Sequence, residues 1–316
     1  MLNLFENIPL KDKTSYKIGG AAKFYSEPRS EEEIIELYRF ALQRGLSVFV
    51  LGNGSNVVVS DEGLDGLVIN LSVNFSKLDW DGSSALVSSG FSLDELAEAA
   101  AQKRFGGMEE LSGIPGTIGG AVVMNAGAFN TEISHTLRSV RILKISTLTI
   151  ETIPASELAF GYRQSAIKNS GNLVLSAIFD FKLSPDATQI RQRILDKREQ
   201  KQPLDFPNCG SVFKRPPGNY AGTLIESCGL KGFKAGGAMV SPKHANFIVN
   251  TGNALAEDVR SVILHIQKTV FDKTGILLEP EVIFIGKFSF SLLDVFAGGV
   301  AGECPPSKAG EARPPY

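Results

Sequence analysis

Gly113-Ile114-Pro115-Gly116-Thr117-Ile118-Gly119-Gly120-Ala121-Val122-Val123-Met124-Asn125-Ala126-Gly127-Ala128 is the most telling stretch of this chain. Glycine recurs through it and no residue carries a formal charge, so its composition matches neither a solvated linker nor an ordinary core helix. Ordered glycine costs backbone entropy and is kept where the chain needs positive φ or where another molecule must touch main chain. A flat or anionic ligand lying against the stretch is therefore expected.

A second uncharged loop, Leu51-Gly52-Asn53-Gly54-Ser55-Asn56, lies upstream between the strand-like runs Leu46–Val50 and Val57–Val59. Successive N–H groups in a Gly/Ser/Asn turn form a concave nest for phosphate oxygens without needing lysine. Either loop alone is equally well read as a tight turn; the pair favours one large, nucleotide-type cofactor. The dinucleotide fingerprint G-x-G-x-x-G fails at Val57, where β-branched residues stand in place of a helix, and no G-x-x-x-x-G-K-[ST] is present. Strand, loop, strand is the better description and argues against both a Rossmann NAD site and a P-loop.

The chain has 316 residues and a net charge of −2, enough for two domains and too little charge to recruit nucleic acid or an anionic membrane. Its three cysteines, Cys209, Cys228 and Cys304, form no C-x-x-C pair, which fits a reducing compartment and argues against a disulfide framework or zinc knuckle. No run approaches eighteen apolar residues and the first residues show no signal-like apolar core. A cytoplasmic protein with small-molecule partners is expected, with no metal.

The first part of the chain reads as mixed α and β. Ser30-Glu31-Glu32-Glu33 is a capping box for a helix with Ile34, Leu37, Tyr38, Ala41 and Leu42 on one face, ending at Gly45. Ser92–Glu95 opens a second, with Leu93, Leu96, Ala97 and Ala100 inward and Gly106-Gly107 at its close. Gly66–Leu71, Ala85–Ser88, Val140–Ile153 and Leu173–Leu183 read as strands. Ser184-Pro185 starts a basic helix, with proline at its first position, ending near Pro203; a domain boundary is placed close to 185. Leu255, Val259, Val262, Ile263, Ile266 and Val270 stripe a last helix capped by Gly275, followed by a strand from Glu281 to Ile285. Residues 287–316 are expected to be a poorly ordered tail.

Reactive side chains stand in three further segments: Phe160-Gly161-Tyr162-Arg163-Gln164-Ser165, Asn208-Cys209-Gly210-Ser211-Val212-Phe213-Lys214-Arg215 and Leu278-Glu279-Pro280-Glu281-Val282. Singly, Arg163 reads equally as a surface ion-pair partner, Ser211 as a turn residue and Glu281 as a strand-edge charge. Together with both glycine loops, Thr14–Ala22, Ala221-Gly222-Thr223-Leu224-Ile225-Glu226, Gly236-Gly237-Ala238 and His244-Ala245-Asn246-Phe247, they give the chain from Thr14 to about Gly286 a pattern that resembles the flavoprotein UDP-N-acetylenolpyruvoylglucosamine reductases of bacterial cell-wall synthesis. It looks like the shorter subtype, which lacks a tyrosine-bearing substrate loop.

The resemblance implies an α+β fold: an FAD-binding domain of the PCMH or vanillyl-alcohol-oxidase type over residues 1–184, made of two α+β subdomains (about 1–72 and 73–184), then a separate α+β substrate-binding domain over 185–286. It implies non-covalent FAD held by Leu51, Gly52, Asn53, Gly54, Ser55 and Asn56 together with Gly113, Ile114, Pro115, Gly116, Thr117, Gly119, Gly120, Ala121, Asn125 and Gly127. NADPH is the implied co-substrate, UDP-N-acetylenolpyruvoylglucosamine the implied substrate, and a monomer the expected state. The resemblance further implies that hydride passes from flavin N5 to the vinyl carbon of the enolpyruvyl ether and that negative charge builds on C2 and its carboxylate, which preorganised donors must meet. By motif position Arg163 is the cationic partner of that carboxylate, Glu281 acts with it on the enol, and Ser211 protonates C2 as general acid. Tyr162, Lys201 and Lys214 are candidate substrate contacts, the lysines for the diphosphate. One departure stands out: Ile283 occupies a position, two after Glu281, where a basic residue is expected.

Two other readings compete. Ser211-x-x-Lys214 and Lys273-Thr274-Gly275 echo penicillin-binding serine enzymes, but Pro216-Pro217-Gly218 forbids the helix that serine should open, and K-T-G closes a helix instead of lying on a strand. Another flavin-dependent oxidoreductase of the same superfamily keeps the fold and changes the reaction. Those that tether flavin use histidine or cysteine near these loops, whereas His135, His244 and His265 lie elsewhere and read as polar fillers or minor contacts.

Overall fold

A computed structural model describes residues 2–288. Residues 289–316, with Cys304 and most of the expected tail, lie outside the described residues.

The first layer is a four-stranded sheet in the order Phe5–Pro9, Ala21–Ser26, Leu64–Asn70, Ser47–Leu51, its first pair antiparallel and the rest parallel. Helix α1 (Glu31–Arg44) covers it with Ile34, Leu37, Tyr38 and Ala41 buried; Leu42, expected on that face, is exposed at the stripe's edge. The cap forms as expected, Ser30 accepting from Glu33 N, although Glu33 reaches back to the N–H of Arg29, one residue before the cap. Gly45 ends the helix in the left-handed conformation at φ 61°.

A five-stranded antiparallel sheet follows, ordered Thr149–Pro154, Leu137–Lys144, Leu173–Asp180, Ser84–Ser88, Leu78–Asp81. The register between its second and third strands slips where Arg141 pairs Ser176 but Ile142 pairs Val174. That bulge reverses the alternation of faces. Val174, Ala177 and Phe179 consequently join one core while Leu173 and Leu175 join the core beneath α1. Helix α2 (Leu93–Gln102) packs on this sheet through Leu93, Leu96, Ala97 and Ala100. It ends at Gln102, short of Gly106-Gly107, because Arg104 turns left-handed at φ 60°.

Inside the glycine-rich stretch the chain forms a short helix, α3 (Ile118–Met124), burying Ile118, Ala121 and Val122. The expectation of no ordinary helix there needs correction: apolar residues at 118, 121 and 122 supply a buried face, and glycines at 119 and 120 leave the remaining surface bare. In contrast, the upstream loop runs straight into the strand Val57–Val59, as expected, with no helix after it.

Helix α4 (Ala187–Lys201) starts at Ala187 behind Asp186, so Pro185 precedes the helix, and it packs on α2 and the turn Glu109–Leu111. The remaining core is built on α6 (Ala256–Thr274), with α5 (Ala221–Ser227) and a three-stranded antiparallel sheet, Lys234–Ala235, Ala238–Val240, Ile248–Asn250, packed around it. Leu255 is the exposed N-cap position of α6, outside its buried stripe.

Two ties join this last unit to the first. Ile283–Ile285, shorter than the expected strand, pairs parallel with Val57–Val59, Ile283 opposite Val57. Both Asp61 carboxylate oxygens accept from the first N–H groups of α6, Ala256 (2.8 Å) and Glu257 (3.1 Å).

Candidate active site

The two glycine loops touch. Asn53 Nδ2 donates to Pro115 O at 3.0 Å, and a Cβ placed on Gly52 would stand 2.3 Å from Thr117 Oγ1. Within the loop, the N–H groups of Gly52, Asn53, Gly54, Ser55 and Asn56 donate to no acceptor among the described residues. A run of unsatisfied main-chain donors is costly unless water or an anion meets it. Across from it, a Cβ on Gly116 would have only Ser55 Oγ, at 3.7 Å, as a neighbour, and one on Gly120 only Thr117 Oγ1, at 3.7 Å, so both faces are open. Free donors on one loop and bare backbone on the other fit the diphosphate of a dinucleotide such as FAD.

Not every residue of the stretch presents itself to a ligand. Asn125 is fully buried and its Nδ2 is spent on Glu132 Oε2 (2.7 Å) and Gly161 O (3.0 Å). This ties the glycine stretch to the segment that carries Arg163. Gly127 O in turn accepts from Arg163 Nη2 at 2.8 Å.

Arg163 sits on a two-residue turn closed by reciprocal bonds between Gly161 and Gln164, at 3.0 and 3.1 Å. Its φ is +55°. With positive φ at its third position and not its second, the turn is type II in kind, and that position favours glycine. An arginine there carries strain of about 1 to 2 kcal/mol, which points to a side chain kept for its chemistry. Its Nε donates to Glu281 Oε1 at 2.7 Å, with both side chains largely withdrawn from solvent. Nη1 has no acceptor among the described residues.

Glu281 and Ser211 come from segments that lie side by side. Glu281 N donates to Val212 O (2.7 Å), Lys214 N to Glu279 O (2.9 Å), and Phe213 bridges Pro280. Asn246, nearly buried, fixes the serine segment: its Oδ1 accepts from Phe213 N (3.0 Å), its Nδ2 donates to Phe213 O (2.9 Å), and its own carbonyl accepts from Val212 N (2.8 Å). Ser211 itself is exposed, and its hydroxyl has no partner among the described residues. Arg163, Ser211 and Glu281 line one cavity of about 390 Å³.

Comparison with known proteins supplies the family. The FAD binding domain family matches residues 22–151, and the family described as UDP-N-acetylenolpyruvoylglucosamine reductase, C-terminal domain, matches residues 202–285. The chain is 41% identical over 303 residues to the UDP-N-acetylenolpyruvoylglucosamine reductase of Caldicellulosiruptor saccharolyticus, covering 93% of this chain and 96% of that one. The chain belongs to the UDP-N-acetylenolpyruvoylglucosamine reductase family. The namesake from Latilactobacillus sakei is 43% identical over 290 residues, covering 91% and 95% of the two chains. The crystal structure of the Thermus caldophilus enzyme superposes with a TM-score of 0.77 at 33% identity, covering 90% of this chain and 98% of that one.

In this member of the UDP-N-acetylenolpyruvoylglucosamine reductase family, the three proposed substrate contacts fall differently. Tyr162 lines the cavity, and its hydroxyl accepts from Arg215 N at 3.1 Å. Lys214 and Lys201 are not among the cavity-lining residues; the Lys214 ammonium pairs with Glu279, and Lys201 is an exposed residue ending α4. Arg215, Lys243 and His244 line the cavity without having been given a role from sequence. Arg215 reads as turn charge in Lys-Arg-Pro, yet its guanidinium lies over the Tyr220 ring at 4.1 Å. His244 Nδ1 accepts from Asn246 N at 3.2 Å, which places the neutral ring's proton on Nε2. Burial, first, and the nearby lysines push its pKa down, opposed by a backbone bond and Glu226, so it is a neutral member of the wall, which fits a minor contact better than a filler. His265 does behave as a filler, stacked on Phe233 at 3.9 Å.

Proposed function

We propose that this chain reduces UDP-N-acetylenolpyruvoylglucosamine to UDP-N-acetylmuramate, a step in peptidoglycan precursor synthesis, with NADPH as reductant and FAD as the resident cofactor. The convergence of Arg163, Ser211 and Glu281 on a single cavity, although they are far apart in sequence, carries the reading. When bound, FAD supplies the relay that accepts hydride from NADPH and passes it to the vinyl carbon of the enolpyruvyl ether. Gly52 to Asn56 hold its diphosphate through free N–H groups, and the 113–127 stretch positions it.

What remains for the protein is to stabilise charge and deliver a proton. Arg163 directs Nη1 to the substrate carboxylate while Glu281 and Gly127 O anchor its other nitrogens; a permanently charged planar fork suits that role. Glu281 shares this hydrogen-bond system on the enol side. Ser211 gives its hydroxyl proton to C2 and is reprotonated from solvent, to which it is open; cations in the wall, Arg163 and Arg215, offset its weak acidity. Lys201 and Lys214, which stand outside the cavity lining, are assigned to the diphosphate, and Tyr162, which lines the cavity, to substrate. Ile283 has no such role, being a ladder residue opposite Val57.

The domains are assigned as 1–184 for FAD, with subdomains 1–72 and 73–184, and 185–286 for substrate. The protein acts as a cytoplasmic monomer; among the described residues no helix is long and apolar enough to cross a membrane. Mass spectrometry of the nucleotide sugar after incubation with NADPH tests the reading. A product heavier by two hydrogens is expected, and Ser211→Ala is expected to form it about 100-fold more slowly or worse; unchanged substrate in the wild-type reaction refutes it.

A further inference from the structure

Lys168 stands five residues beyond Arg163 on the irregular segment that follows the turn. It is half-buried, and its ammonium donates to the main-chain carbonyl of Arg163 at 3.1 Å. That carbonyl belongs to the residue whose backbone is forced into the left-handed region. The side-chain bonds to Glu281 and Gly127 hold the far end of Arg163 and leave its backbone carbonyl to Lys168. Ser165, between them, is anchored by its hydroxyl to Val123 O at 2.8 Å, so the segment presenting Lys168 is fastened to α3. A charged donor on a carbonyl is a stronger tether than a neutral one.

We infer that Lys168 is a positioning residue for Arg163, its ammonium pinning the strained turn so that the guanidinium meets the substrate carboxylate in register. The inference rests on the role given to Arg163 in the proposed function. Lys168 is not among the residues that line the cavity. Its charged surroundings are Arg163, Lys214, Glu281 and Glu279, and burial, first, with Lys214 lowers its pKa against the pull of the two glutamates. The tether therefore loses its charge at a lower pH than an exposed lysine would.

Rapid-mixing measurement of flavin reoxidation by substrate, in the FAD-loaded protein reduced beforehand with NADPH, tests this. Lys168→Met is expected to slow reoxidation by about 100-fold, the cost of a misplacement near 1 Å, while leaving the preceding reduction by NADPH unchanged. Lys168→Arg is expected to restore most of the rate and to move the alkaline limb of its pH profile upward, because a guanidinium keeps its charge. In an Arg163→Ala background, adding Lys168→Met is expected to change nothing further, since the lysine acts only through the arginine. Wild-type reoxidation in Lys168→Met, an alkaline limb unmoved in Lys168→Arg, or equal losses from Lys168→Met with and without Arg163 would each overturn the inference. A wild-type rate in Arg163→Ala alone would instead refute the role of Arg163 itself. Should Lys168→Met fail to fold, the pH profile of Lys168→Arg decides.

Discussion

Arg163 shows most clearly how a single residue can oppose its local conformation for the sake of a site. The type II turn it occupies asks for glycine, and the chain supplies the side chain with the most hydrogen-bonding reach. Two substitutions separate strain from interaction. Arg163→Gly and Arg163→Ala lose the same bonds to Glu281 and Gly127, but only alanine keeps the strain. We expect Arg163→Gly to be the more stable by about 1 kcal/mol in chemical denaturation, with both strongly slowed but still measurable in flavin reoxidation by substrate; equal stability would mean the turn carries no strain. Sequence motif alone placed Arg163, Ser211 and Glu281, and all three line the cavity. It gave no hint of the positive φ at Arg163 or of the Lys168 tether, because both depend on how a turn is closed in three dimensions and not on residue type.

At the scale of elements, the proposed FAD site depends on the contact between the two glycine loops. A methyl at Gly52 would run into Thr117, with Oγ1 at 2.3 Å and Cγ2 at 2.9 Å. Gly52→Ala is expected to purify with markedly less FAD at unchanged secondary structure, and Thr117→Ala in the same chain is expected to recover part of it by removing both close atoms. Full FAD occupancy in Gly52→Ala would show the loops to be independent. The helix caps at Ser30, Ser92 and Gly45 were legible because capping is a local rule. Helix α3 was not, since its glycines score poorly in any helix, and tertiary burial of Ile118, Ala121 and Val122 overrides that propensity. The bulge at Arg141–Ile142 left no sequence mark either; it exists to feed one strand into two cores.

Across the whole molecule, the site is assembled from parts that must stay in register. Glu281 and Ser211 belong to the region around α6, whereas the flavin loops and Arg163 belong to the sheets before α4. The strand pair Ile283–Ile285 with Val57–Val59 and the cap of Asp61 on α6 hold these halves together. Removing a carboxylate cap costs about 1 kcal/mol, so Asp61→Ala is expected to lower stability by that amount. Amide exchange should quicken chiefly at the start of α6 and in the strand Ile283–Ile285, and exchange unchanged at both places would contradict the coupling. Neither tie was legible from sequence, because each joins segments too far apart along the chain for any local rule to reach. The strand itself was expected from Glu281 onward, but its partner was not.

The proposed reaction sends electrons from NADPH through bound flavin to an enolpyruvyl sugar nucleotide. Anaerobic absorbance spectroscopy of the purified protein tests it most directly. A yellow protein is expected whose flavin band is bleached by NADPH and returns on addition of UDP-N-acetylenolpyruvoylglucosamine, with no oxygen present. A protein that takes up no FAD, or a bleached flavin that the sugar nucleotide leaves reduced, would contradict it.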